Sequence, residues 1–131
     1  MPDEKSFAER RAHTRYPILT TGEAKHVALH GSGSFRIAAS NISMGGMVIH
    51  AESGEIIENG DILKLKFPIL QEPPVELQVR VVWKRKGEEV ILGAWAFGLL
   101  FFGTSETEIR RLHDPARAAF MSTLTPDTYK D

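Results

Sequence analysis

At 131 residues, 42% hydrophobic and 25% charged, the chain is long enough for one domain that buries about two-thirds of its unfolded surface, and too apolar to be disordered. Its formal net charge of −1 excludes a general polyanion binder, so any anion must be recognised locally. The absence of cysteine removes disulfides, thiolate zinc sites and cysteine nucleophiles, and suits a reducing cytoplasm.

Residues 1–8 read as a flexible polar lead without the cationic start and apolar run of a secretory signal. The arm Glu9-Arg10-Arg11-Ala12-His13-Thr14-Arg15 follows, and Tyr16-Pro17 hands it to a strand because proline ends any helix there. Residues 18–29 predict a strand with an irregularity at Gly22, and the glycines of 30–34 turn a hairpin. No lysine and no helix follow them, so they form no phosphate loop. Residues 35–42 form the returning strand. Met47-Val48-Ile49 continues it beyond Gly45-Gly46, and residues 51–59 are an acidic, turn-forming connection.

Gly60-Asp61 opens an alternating strand with Leu63, Leu65 and Phe67 on one face and Lys64 and Lys66 on the other. Glu72-Pro73-Pro74 predicts a break, since prolines cannot sit inside a ladder. Val75, Leu77, Val79, Val81 and Trp83 then give a period-two run that assigns Trp83 to the core, and residues 90–102 the last strand. Ser105-Glu106-Thr107-Glu108 matches a capping box, and Ile109, Leu112, Ala116 and Phe120 suit a helical core stripe. Asp114-Pro115 either kinks that helix or starts a second one. The fold class is mainly β: six strands in a small antiparallel barrel or sandwich, with a C-terminal helix packed on it. One domain over 9–122 is expected, with a polar tail at 123–131.

Catalytic and metal chemistry finds no foothold in this pattern. His26 and His30 stand roughly 13 Å apart on a strand, too far to share an ion, and His13, His50 and His113 read as surface or loop residues. No serine elbow and no zinc-protease helix is present, so we expect neither an enzyme nor a metal site. The most apolar window, residues 94–102, falls far short of the ~20 residues that span a bilayer, so no membrane insertion is expected.

Anion chemistry does find one. Arg10, Arg11 and Arg15 place three guanidinium forks within six residues, each able to grip a phosphate or a guanine edge with paired bonds or to stack on a purine. Asn41 and Ser43 alternate, so a strand brings amide and hydroxyl to one surface. Gly45 and Gly46 allow close backbone approach and positive φ. Taken singly, the first cluster reads as a solvated charge run and the second as a glycine turn or bulge.

Together, Arg11-Ala12-His13-Thr14-Arg15 and Asn41-Ile42-Ser43-Met44-Gly45-Gly46 resemble the paired RxxxR and (D/N)xSxxG motifs of PilZ domains. Val81-Val82-Trp83 and the run from Ala96 to Phe101 are similar to that family's later strands, so the likeness spans residues 9–120. The resemblance implies a bacterial, cytoplasmic, six-stranded β-barrel that binds the second messenger cyclic di-GMP. Arg11 and Arg15 would meet phosphates and guanine edges, and Asn41, Ser43 and Gly46 a guanine and the ligand backbone. Arg10 would add a contact. It further implies a receptor that needs no cofactor and signals to a downstream protein partner. The alternative is a PilZ-like protein–protein adaptor that binds no nucleotide. A polymer-binding barrel fits poorly with the neutral charge and few aromatics.

Overall fold

A computed structural model describes residues 14–27, 33–52, 57–86 and 94–123. Six strands, β1 (Tyr16–His26), β2 (Phe35–Ile42), β3 (Gly46–Ala51), β4 (Ile62–Ile69), β5 (Glu72–Lys86) and β6 (Trp95–Phe101), close into an antiparallel barrel. The order around it is β1-β2-β3-β6-β5-β4, with β4 returning to β1. One helix, α1 (Glu106–Thr123), follows. The barrel thus forms as expected, with each strand paired on both sides over part of its length.

Alternation builds the core. Along β1 every second residue from Tyr16 to His26 turns inward, and Leu63, Leu65 and Phe67 of β4 do the same at 1% exposure or less. Phe67 and Phe97 are fully buried, each contributing about 1.5–3 kcal/mol through its burial. Ile109, Leu112 and Ala116 of α1 join the same cluster, so the helix packs on the barrel against β1, β2 and β5. Among the described residues no helix is long and apolar enough to cross a membrane.

The differences from the sequence reading are local and mostly bulges. Gly22 pairs regularly with Ile37, and the irregularity of β1 falls between Pro17 and Thr20 instead. The residues after Gly46 are a separate strand, β3, paired antiparallel to β2, so the glycine pair turns a hairpin rather than bending one strand. Ile57 of the connection before β4 is a core residue.

Pro73 and Pro74 do not break the chain but lie inside β5. Pairing with β6 begins only at Val79, so the prolines have one neighbouring strand, and a register shift against β4 takes up the extra residue. The actual β4–β5 turn is Leu70-Gln71, with Gln71 at φ 62°. Their carbonyls then hold the helix: Arg111 donates to Pro74 O at 3.2 Å and to Pro73 O.

Pro115 lies within one continuous helix. Ser105 Oγ caps it by accepting from Glu108 N at 3.2 Å, but the Glu108 carboxylate accepts from Glu76 N at 3.0 Å, so half of the expected capping box serves as a tie to β5. His113 is buried rather than on the surface, and Phe120, 36% exposed, packs on Tyr16 instead of entering the core. The lead, residues 9–13 of the arm with His13, His30 of the first hairpin, residues 90–93 and the tail lie outside the described residues.

Candidate functional site

Ile37 and Ala39 of β2 point inward, and simple alternation would bury Asn41 as well. Against β3, however, the register shifts between Ala39 and Asn41, leaving Ser40 as an extra residue. The phase flips, Ile42 enters the core, and Asn41 turns to the outer surface half-exposed. There Arg15 Nη1 donates to Asn41 Oδ1 at 3.0 Å. The last arginine of the arm and the first polar residue of the glycine-bearing turn therefore meet across 26 residues of sequence.

That bond leaves most of the site's donors outward. A guanidinium has five N–H groups and an amide two, and only one of these is used between the pair. Arg15 is exposed and sits just before β1, where Pro17 lies opposite Asn41 and Tyr16 opposite Ile42.

Ser43 has a different task. It is 3% exposed, and its Oγ accepts from Gly45 N and Gly46 N, both at 3.1 Å, while its own N–H donates to Gly46 O at 2.8 Å. The hydroxyl is thus turned into its own hairpin rather than onto a common surface with Asn41. Gly46 is required by packing: a Cβ there would stand 2.0 Å from Leu99 O of β6. Gly45 O accepts from Phe101 N at 3.0 Å, locking the turn to the same strand. Among the described residues the left-handed glycines are Gly60 and Gly103, so the positive φ that Gly45 and Gly46 allow is used at neither. Arg10 and Arg11 lie outside the described residues.

A second bulge adds a residue that the sequence reading placed in the core. Val79 and Val81 face inward, and continued alternation would bury Trp83. The β5–β6 register shifts between Val81 and Trp83, so Val82 is the extra residue and Trp83 emerges on the outer face opposite Gly98. Its indole covers that glycine, for a Cβ on Gly98 would come within 2.0 Å of Trp83 Nε1. The registers then give one continuous outer row across five strands: Pro17, Asn41, Val48, Gly98, Trp83. Three strand spacings of about 4.8 Å separate Asn41 from Trp83, so a hydrogen-bonding end and an aromatic end stand roughly 14 Å apart along a low, apolar floor. Arg85, two residues on, lies with its guanidinium 5.3 Å from the Trp83 ring centre. The sequence signal for this placement was the glycine at position 98, which only makes sense if something large lies over it.

Tyr16 connects this surface to the helix. Its ring stands 5.4 Å from His113 and 5.5 Å from Phe120, centre to centre. His113 Nδ1 lies 2.9 Å from Asp114 Oδ1, a contact that, with Arg110 nearby and against a desolvation that acts the other way, holds the Asp114 carboxyl below its ordinary range. Among the described residues no group of three or more His, Asp or Glu is placed to hold a metal ion.

Comparison with known proteins agrees with this architecture. The family model described as PilZ domain matches residues 9–114. Among solved structures, the PilZ domain of YcgR from Escherichia coli with c-di-GMP is similar at TM-score 0.65 and 16% identity, over 88% of this chain and 95% of that one. The PilZ domain of CeSA from a cellulose-synthesizing bacterium gives TM-score 0.59 and 14% identity, over 77% and 96%. The Bacillus subtilis inhibitor of motility MotI/DgrA gives TM-score 0.66 and 16% identity, over 86% of this chain and 51% of that chain. A search of curated proteins returns no match. With the family model matching residues 9–114, most of its length, the chain belongs to the PilZ domain family.

Proposed function

We propose that this protein is a non-enzymatic receptor for cyclic di-GMP, bound across the outer row from Arg15 and Asn41 to Trp83. The observation that carries the reading is the Arg15–Asn41 hydrogen bond, which brings a guanidinium and an amide together at an exposed face rich in donors. Family membership and a solved relative whose PilZ domain holds c-di-GMP support the choice of ligand.

The chemistry fits the geometry. A guanidinium fork at Arg15 matches a phosphate or the O6/N7 edge of guanine, and Asn41 offers the remaining amide donors. The indole of Trp83 offers an aromatic face at the far end of the row, and Arg10 and Arg11 belong to the proposed site as further guanidinium donors. Ser43, Gly45 and Gly46 belong to this site as its frame: they hold the hairpin that fixes Asn41. A few charge-assisted bonds of about 1.5–3 kcal/mol each suffice for roughly micromolar binding after ordering costs.

Signal transfer to a partner runs through Tyr16 in this reading. Ligand engagement of Arg15 bears on the next residue, whose ring touches His113 and Phe120 of α1. Arrangement of the arm and helix is then the two-state element that the ligand biases.

Calorimetric titration of cyclic di-GMP tests the reading. Wild type should give a saturable heat, and Arg15→Ala should weaken binding by at least about tenfold with its fold unchanged by circular dichroism. Absence of heat with the wild-type chain, beside partner capture unaffected by nucleotide, would establish the adaptor instead.

A further inference from the structure

On the flank of the barrel away from the β2–β3–β6 surface, the outer faces of β1, β4 and β5 form a groove of about 770 Å³ under the segment from Gly103 to Ser105. The registers resolve its floor into rows. Glu23, Lys66 and Glu76 lie side by side and alternate in sign. The next row is Lys25, Lys64 and Gln78, in which two ammonium groups stand directly opposite each other. Like charges in that position destabilise a strand pair.

Outside the groove, on the adjoining outer face of the same strands, the following row is Val27, Ile62 and Arg80, with the Arg80 guanidinium 4.9 Å from the ring centre of Phe102. Among the described residues none of Lys25, Lys64 and Arg80 has an acidic partner. Around these three charges Val27 is 42% and Phe102 43% exposed.

A neutral protein has no need to gather three unneutralised cations around exposed apolar side chains. We propose that this groove, together with the strip of Val27, Arg80 and Phe102 beside it, is a docking surface for an acidic, amphipathic segment of a protein partner, whose carboxylates meet Lys25, Lys64 and Arg80 and whose apolar side chains cover Val27 and Phe102. Charge complementarity selects the sign of the occupant. The span of three strands and the exposed apolar groups select a peptide over a small anion, and the net charge of −1 disfavours a nucleic-acid polymer. Its two lysines share no register row with Asn41 or Trp83, and the proposal does not rest on the nucleotide reading.

The test uses the full chain and a dye-labelled synthetic peptide alternating glutamate with phenylalanine, followed by fluorescence anisotropy, with a lysine–phenylalanine peptide as control. The glutamate peptide should bind, more weakly as salt rises, and the control should not. Lys25→Glu with Lys64→Glu should weaken binding by at least about tenfold, and the milder Lys64→Gln should weaken it less. Arg15→Ala should leave peptide binding unchanged, and the double lysine variant should leave the cyclic di-GMP heat unchanged, so this surface and the nucleotide site fail independently. Equal peptide affinity in the double variant, no binding to wild type, loss with Arg15→Ala, or full displacement by millimolar inorganic phosphate would each overturn the proposal.

Discussion

Ser43 shows how one hydroxyl can hold a hairpin from within. It accepts from two consecutive backbone N–H groups in a buried hairpin, and no water can replace it at 3% exposure. Ser43→Ala should therefore cost about 1–3 kcal/mol of unfolding free energy in urea, the penalty for orphaning buried donors. Arg15→Ala, an exposed position, should leave that stability within about 0.5 kcal/mol while weakening the nucleotide. The opposite ranking in denaturation would reverse the roles given to the two motif residues. Spacing alone marked both residues, because the motif is a string of side chains. It did not separate their duties, since only the turn's closure decides which way a hydroxyl rotates.

At the scale of elements, two one-residue bulges make the surface. Val82 carries Trp83 out of the barrel, and Ser40 does the same for Asn41, each by reversing the phase of its strand. Period-two reading found β4 and β5, because burial on one face writes itself into the sequence, whereas β3 read as a continuation of β2. A bulge is invisible to that reading: it adds a residue whose own chemistry is ordinary, and only the partner strand's register reveals it. Pro73 and Pro74 misled for a related reason, as a proline forbids a second ladder neighbour and not the first. The Trp83–Gly98 contact gives a direct prediction. Gly98→Ala has no room for its methyl unless the indole shifts, so the environment of Trp83 and the nucleotide affinity should change while the barrel still folds. An unaltered tryptophan emission spectrum and an unaltered affinity would show that the indole is not seated on that glycine.

For the whole molecule, the barrel supplies rigidity and the attachments of α1 supply its response to conditions. Glu108 ties the helix to β5, and the Glu76 N–H holds its carboxyl below the ordinary range, with Arg111 assisting against a desolvation that acts the other way. At Asp61 burial presses upward, but the Glu58 N–H and His26 outweigh it and the net direction is again down. Carboxyls depressed in the folded state add stability that is present above their unfolded pKa and lost as pH falls through the folded one. Thermal stability should therefore decline from about pH 5 towards about pH 2, less steeply in Glu108→Gln, and the difference should shrink in high salt because both carboxyls still reach solvent. A parallel decline in the two proteins would remove Glu108 from the account.

The claim at the centre is that one nucleotide spans the row from Arg15 to Trp83. The chain has two tryptophans, so a Trp95→Phe variant reports on Trp83 alone. Titrating it with cyclic di-GMP should change its emission with the same midpoint as the calorimetric heat, and adding Arg15→Ala should move both midpoints together. A full calorimetric isotherm accompanied by no change at Trp83 would contradict it.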